Sequence, residues 1–217
     1  MPQNNKHAVL GLRDMGAGAY VLRFERHNLN FRAGQYIHVG PLPGLDRREY
    51  SVYSSPDDDY LEILVKEIPD GDVSPRLKQL KEGDHVDVEG PFGFFSIEEG
   101  IESDPLLFMA TGTGISPFRS MVRQRPNLNY RLIHGIRTAD ESYGYQEFAS
   151  GRLVSCRSRQ PGGDFDGRIT DWLRGNPVLP DSHRVFLCGN CDMIYEVYDI
   201  LGSQGLSAER IHAEVYF

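Results

Sequence analysis

Arg48, Tyr50 and Ser51 fall within four residues, in the run REYS. On a strand the side-chain period of two puts Arg48 and Tyr50 on one face, so the run offers a fixed cation and a flat ring beside a hydroxyl. Downstream, PDGDVSPRLKQL brings Gly71 and Ser74 to the start of a predicted helix, with Ser74 as N-cap and Pro75 at the first helical position. The free N–H groups and dipole of a helix start favour an anion, and phosphate is the natural one. A third run, ATGTGISPF, holds Gly112 and Gly114 in a Gly-x-Gly spacing that is only a fragment of a dinucleotide fingerprint and, alone, more often an ordinary turn. In LCGNC, Cys188 and Cys191 have the Cys-x-x-Cys spacing of zinc sites and redox dithiols, but zinc would need two further ligands and the chain has no second cysteine pair. No histidine run has metal-ligand spacing. The last residues are IHAEVYF, and aromatic rings at a chain end, usually solvated, are expected either to close the core or to cover a ligand.

These runs need elements to hold them. With 217 residues, 40% hydrophobic, the chain has enough material for one large domain or two small ones. A net charge of -8 argues against nucleic-acid and anionic-membrane partners, which reward a basic surface. The first 56 residues carry seven basic against four acidic side chains, a +3 segment expected to face an acidic partner. No apolar run approaches the ~20 residues of a spanning helix. The start lacks the apolar core of a signal peptide, and three cysteines cannot pair fully, so a cytoplasmic chain is expected.

Up to about residue 100 the pattern is short strands, AYVLRFE, QYIHVG, REYSVYS, LEILVKEI and HVDVEG, punctuated by Gly, Pro and Asp, which predicts a small antiparallel barrel. Thereafter PLLFMATG, NYRLIHGI and HRVFLCGN are apolar strands breaking at glycine, interleaved with the helical SPFRSMVRQ and DMIYEVYDILGSQ. That alternation predicts a doubly wound parallel sheet with ligands at the carboxyl ends of its strands. The division falls near residue 101: a β-barrel over 1–101, an α/β domain over 102–217.

In order along the chain, FRAGQYIHVG, REYSVYSSPD, PDGDVSPRLKQLKEGD, GPFGFF, ATGTGISPF, SRQ, GRI, LCGN and the aromatic end resemble the ferredoxin-NADP reductase family, most nearly its bacterial ferredoxin/flavodoxin-NADP reductases. The resemblance covers nearly the whole chain. It implies an FAD domain followed by an NADP domain. Arg48 would hold the FAD pyrophosphate, Tyr50 would pack on the isoalloxazine, and Ser51 would hydrogen-bond near N5, the hydride acceptor. Val65 would line the flavin site by its backbone, while Val73 and Ser74 would bind pyrophosphate. Gly112, Thr113 and Gly114 would form the turn under the nicotinamide and pyrophosphate of NADPH, with Thr113 also touching FAD. Ser158, Arg159 and Arg168 would clamp the 2'-phosphate, for which bidentate arginine is suited, with Arg137 as a third contact, to the 2'-phosphate or the pyrophosphate. Asp164 and Asp166 lie close enough in sequence to compete for Arg168. Cys188 would pack beside the nicotinamide C4, and Cys191 stands where relatives usually have proline. Glu214 would lie near the flavin in a network with Ser51, Tyr216 would stack on the exposed flavin face, and Phe217 would reach the adenine of FAD.

The resemblance thus implies an enzyme that passes electrons between NADPH and ferredoxin or flavodoxin through FAD, acting as a monomer. The alternative is an NAD(P)H-flavin reductase or the reductase component of an oxygenase. A rival of another class is a nucleotide-sensing or electron-transfer subunit with no turnover of its own; the usual electron-transfer subunit of that kind carries an iron-sulfur cluster, for which three cysteines cannot supply four thiolate ligands.

Overall fold

The computed structural model describes residues 5–101, 104–178 and 183–216. Strands β1 (Lys6–Gly16), β2 (Ala19–Glu25), β3 (Tyr36–Pro41), β4 (Arg48–Ser51), β5 (Tyr60–Lys66) and β6 (His85–Phe92) form an antiparallel sheet ordered β4-β3-β6-β1-β2-β5. A bridge between Val52, just past β4, and Ile63 of β5 joins the two ends of that order and closes the sheet into a barrel. Alternation fills its interior: Tyr20, Leu22 and Phe24 from β2 meet Leu61, Ile63 and Val65 from β5 and Ile37 and Val39 from β3. The longest strand, β1, was not among the segments that the sequence pattern singles out. Its alternation is interrupted at Gly11, and its register with β2 shifts between Val9 and Gly11.

Helix α1 (Ser74–Lys78) has only five residues, and its N-cap is Val73, not Ser74. The Ser74 hydroxyl instead accepts from the Ile68 N–H at 3.0 Å and ties down the loop leading in. The expected side-chain cap is therefore absent, and so short a helix adds little dipole.

The second sheet contains β7 (Leu106–Thr111), β8 (Tyr130–Ile136), β9 (Leu153–Arg157), β10 (Phe165–Asp166), β11 (Arg184–Asn190) and β12 (Ile211–Tyr216), ordered β10-β9-β8-β7-β11-β12 with every pairing parallel. From β7 the chain builds outward to β10, then returns to lay β11 on the other side of β7. The switch point is therefore between β7 and β11, where a doubly wound sheet opens its ligand crevice. Strand parity assigns the two faces. Leu107 and Met109 pack with α3 (Ile169–Gly175) and α4 (Cys191–Ser203), while Leu106, Phe108 and Ala110 pack with α2 (Ser116–Gln124) and with barrel residues such as Val21, Leu64 and Phe95.

Helix α2 joins the two sheets by polar bonds as well. The buried Arg119 donates to the Tyr53 carbonyl at 2.7 Å, pairs with Glu62 of β5 at 3.2 Å and with Glu147 at 3.0 Å, and lies over the Tyr53 ring. Ser120 donates to the Ser54 carbonyl at 2.6 Å, and Arg123 pairs with Asp58 at 2.9 Å.

The basic surplus of the first 56 residues is not displayed as a simple patch. Arg23 is paired with Glu62, and Arg47 with Asp87 and Glu89, all acids from further along the chain. Among the described residues no helix is long and apolar enough to cross a membrane.

Candidate active site

One cleft of about 1450 Å³ has the barrel as one wall and the carboxyl ends of the parallel strands as the other. From the barrel come Arg48, Tyr50 and Ser51 of β4, with Val73 and Ser74 at the start of α1. Pairing of Val39 with Arg48 and of Ile37 with Tyr50 puts Arg48 and Tyr50 on one face, and Ser51 opposite Tyr36 on the other. Burial pushes the Tyr50 hydroxyl up to about 12, with the Arg48 charge acting against it. Ser74 Oγ accepts from Ile68 N–H with one of its two lone pairs, and its O–H remains to donate.

The sheet wall contributes Gly112 and Thr113 after β7, Arg137 after β8, Ser158 and Arg159 after β9, and Arg168 before α3. Arg48, Arg137, Arg159 and Arg168 are exposed, and among the described residues none has an ion-pair partner. The competition expected from Asp164 and Asp166 does not occur. Asp164 accepts from the N–H and hydroxyl of Ser155, and Asp166 from the N–H groups of Gly162 and Gly163, so both shape the loop that carries Arg168. Four unpaired guanidinium groups around one cleft are the donor set for a ligand with several phosphates.

Two glycine turns are pressed together at the switch point. A Cβ on Gly114 would lie 2.4 Å from the Cys188 carbonyl oxygen, and one on Gly189 would lie 2.3 Å from Thr111 Oγ1. Only glycine allows this approach. The Asn190 N–H donates to Thr111 Oγ1 at 2.9 Å, and the Asn190 side chain caps α4 by accepting from Met193 N–H. Gly114 is therefore turned inward while Gly112 and Thr113 face the cleft.

Across the cleft mouth the last strand meets β4. The Ser51 hydroxyl donates to Glu214 Oε1 at 2.5 Å, and the Tyr216 hydroxyl donates to Ser51 Oγ at 2.7 Å. Burial raises the Glu214 carboxyl to about 7, opposed by the Ser51 bond and reinforced by the charge of Glu49. Cys188, on the neighbouring strand β11 and paired in register with Glu214, is fully enclosed behind Tyr216, whose hydroxyl it meets. Burial, and then the nearby Glu214, hold its thiol well above the usual range.

Thirteen of the site residues expected from the sequence, together with Gly71 ahead of α1, thus line one cleft. Val65 does not: its side chain fills the barrel core, and its neighbours Leu64 and Lys66 reach the cleft. Nor do Gly114 and Cys188, and Phe217 lies outside the described residues. Lys66 and Glu141 line the cleft without having been anticipated. Glu141 accepts from the Arg137 N–H at 2.7 Å, and Lys66 lies 3.9 Å from it across the two walls. Asn190 was recoverable as an N-cap residue directly before a helical pattern.

A closed antiparallel barrel and a doubly wound sheet sharing a cation-lined crevice define a two-domain flavin- and nicotinamide-nucleotide-binding oxidoreductase. Residues 14–97 match the oxidoreductase FAD-binding domain and residues 108–199 the oxidoreductase NAD-binding domain. The flavodoxin/ferredoxin-NADP reductase of Escherichia coli (strain K12) is 35% identical over 190 residues, 76% of this chain and 77% of that one. The chain belongs to the flavodoxin/ferredoxin-NADP reductase family, and its cofactors are FAD and NADP(H). The reductase component 1 of terephthalate 1,2-dioxygenase from Comamonas is 27% identical over 201 residues, 86% of this chain and 59% of that one. In fold, the chain matches a ferredoxin NADP+ reductase from Neisseria gonorrhoeae, solved with bound FAD and NADP, at a TM-score of 0.85, covering 98% of each chain at 24% identity.

Proposed function

We propose that the protein transfers electrons between NADPH and a one-electron carrier of the ferredoxin or flavodoxin type, as a monomer, with the barrel over residues 1–101 holding FAD and the rest holding NADP(H). The observation that carries this reading is the single cleft in which a cation, ring and hydroxyl on the barrel face three unpaired arginines on the sheet. The residues fit the cofactor: Arg48 and the Ser74 O–H suit a pyrophosphate, and the Tyr50 ring suits a planar heterocycle. FAD, when bound, supplies the exchange between two-electron and one-electron steps.

The chain's own groups do the rest. Arg159 and Arg168, with Ser158 and Arg137, bind the 2'-phosphate that distinguishes NADPH from NADH. Ser51 and Glu214 hold and move a proton at the reacting edge, because a carboxyl that titrates near neutrality both accepts and releases one. Tyr216 covers that edge and keeps water from it, and Cys188 supports Tyr216 from behind. Carriers of this kind are commonly acidic and are received by charge complementarity.

The decisive experiment is anaerobic reduction of the flavin-loaded protein. NADPH should bleach the flavin at least tenfold faster than NADH at equal concentration, and the reduced protein should pass electrons to flavodoxin or ferredoxin. Equal rates with the two nucleotides, or turnover only with free flavin, would favour a flavin reductase or an oxygenase reductase.

A further inference from the structure

His134 sits in β8 with none of its surface exposed, lines no part of the cleft and forms no ion pair among the described residues. Both of its ring nitrogens are nonetheless engaged. Nε2 lies 2.8 Å from the carbonyl oxygen of Gly112, and Nδ1 lies 2.9 Å from the Tyr145 hydroxyl. A carbonyl can only accept, so Nε2 carries the proton, and Nδ1 accepts from the Tyr145 O–H. Burial lowers the ring to about pKa 4, against the effect of the Gly112 bond, so the neutral form persists through the working range of pH.

Gly112 opens the turn that leaves β7 for the cleft, at φ +53°. In a planar trans peptide the carbonyl of one residue and the N–H of the next point in opposite directions. With the Gly112 carbonyl drawn inward to His134, the Thr113 N–H is directed away from the imidazole, and Thr113 lines the cleft. On its own side of this peptide glycine has no Cβ to resist a change of ψ, while the other side belongs to the β-branched Thr113. The rest of the turn is fixed from other directions: Gly114 lies against the Cys188 backbone, and Ser116 Oγ donates to the Thr113 carbonyl at 2.7 Å. The Gly112–Thr113 peptide lies in the 3-10 turn Gly112–Ile115, and the imidazole addresses it from β8.

We propose that His134 is a positioning residue that sets the polarity of the nucleotide-binding turn, holding the Gly112 carbonyl inward so that a donor, the Thr113 N–H, faces the bound dinucleotide. This rests on the assignment of the cleft to a nicotinamide dinucleotide. An inverted peptide would present a carbonyl oxygen to a polyanion. The donor is common to NADPH and NADH, so His134 acts on both nucleotides alike, unlike an arginine that reads the 2'-phosphate.

The test uses the flavin-loaded protein, with dissociation constants for NADP+ and NAD+ measured by titration calorimetry. His134→Leu should raise both by the same factor, about tenfold, with FAD affinity unchanged. His134→Gln, whose amide N–H reaches the position of Nε2, should return both to within about threefold of the original. Nitrogen NMR of labelled histidine should show the Nε2–H tautomer from pH 5.5 to 8, and Tyr145→Phe should mix the tautomers and weaken both nucleotides by a smaller, equal factor. A folded His134→Leu protein with unchanged constants, or a glutamine variant no better than the leucine one, overturns the proposal. Should the leucine variant fail to fold, the glutamine and Tyr145→Phe variants decide: unchanged tautomer and affinities in the latter also overturn it. If the unaltered protein binds neither nucleotide, the assignment of the cleft has failed instead, and the His134 proposal with it.

Discussion

Ser51 and Glu214, 163 positions apart in sequence, are joined by a hydrogen bond of 2.5 Å that connects the end of β4 to the last strand of the other sheet. The bond favours the charged carboxylate, while burial favours the neutral acid more strongly, and the balance leaves Glu214 near 7. The rate of electron delivery from the reduced protein should therefore show an apparent pKa near 7. Glu214→Gln should flatten that profile, and Ser51→Ala should move it to higher pH while slowing flavin reduction in stopped flow with FAD still bound. An unmoved profile in both variants would remove Glu214 from the proton path.

Nucleotide choice is read by unpaired arginines. Replacing Arg159 or Arg168 with alanine should raise the KM for NADPH roughly ten- to a hundredfold, the loss of one charge-assisted contact, and leave NADH nearly unchanged. Steady-state kinetics with both nucleotides check this, and equal effects would place the two arginines outside the 2'-phosphate site.

Glu214 and His134 oppose one another in the pH dependence of stability. The raised Glu214 contributes stability that is complete below about 4.5 and lost as pH rises through about 7. The lowered His134 contributes stability present above 6.5 and lost as pH falls through about 4. Between 4.5 and 6.5 the two slopes, each at most about 1.4 kcal/mol per pH unit, cancel. Urea denaturation across that window should give a nearly level contribution from the pair. Glu214→Gln should make stability rise with pH, and His134→Gln should make it fall.

Arg119 is the polar link between the sheets. Arg119→Leu strips the Tyr53 carbonyl and Glu147 of their partner and leaves buried Glu62 with Arg23 alone. The expected cost is about 3 kcal/mol, seen in denaturant melts as a lowered midpoint. A change below about 0.5 kcal/mol would mean that apolar packing alone holds the halves together.

Tyr216 is held to Ser51 by its hydroxyl and packs partly on the core between the sheets. Tyr216→Ser should tighten nicotinamide binding, improve the use of NADH and loosen FAD, with the fold retained because a ring's stacking contributes only about 0.5 to 1.5 kcal/mol beyond its buried area. An insoluble variant with unchanged nucleotide preference would assign the ring to the core.

What the sequence disclosed and withheld follows from the range of each interaction. Strand parity alone fixes the shared face of Arg48 and Tyr50, but their ligand, like that of Arg137, Arg159 and Arg168, was legible only through the family resemblance of the surrounding motifs. Glu141, Lys66 and His134 were not legible, since each acquires its role from a partner on another strand or turn that no local period encodes. Ser74 misled because its hydroxyl finds Ile68 N–H before it finds the helix. Cys188 is placed by register with Ala110 and Glu214, but its enclosure depends on where the Tyr216 ring comes to rest.

The strand that carries Glu214 and Tyr216 lies at the margin of its sheet, bonded to β11 on one side only. A marginal strand opens by breaking one ladder instead of two, with no need for the sheet beneath to loosen. The amides of Val215 and Tyr216 should accordingly exchange with deuterium far sooner than that of Leu187, one strand inward. The reacting edge is thus covered by a strand whose main-chain hold comes from one neighbour, supplemented across the cleft by the bonds that Glu214 and Tyr216 make to Ser51.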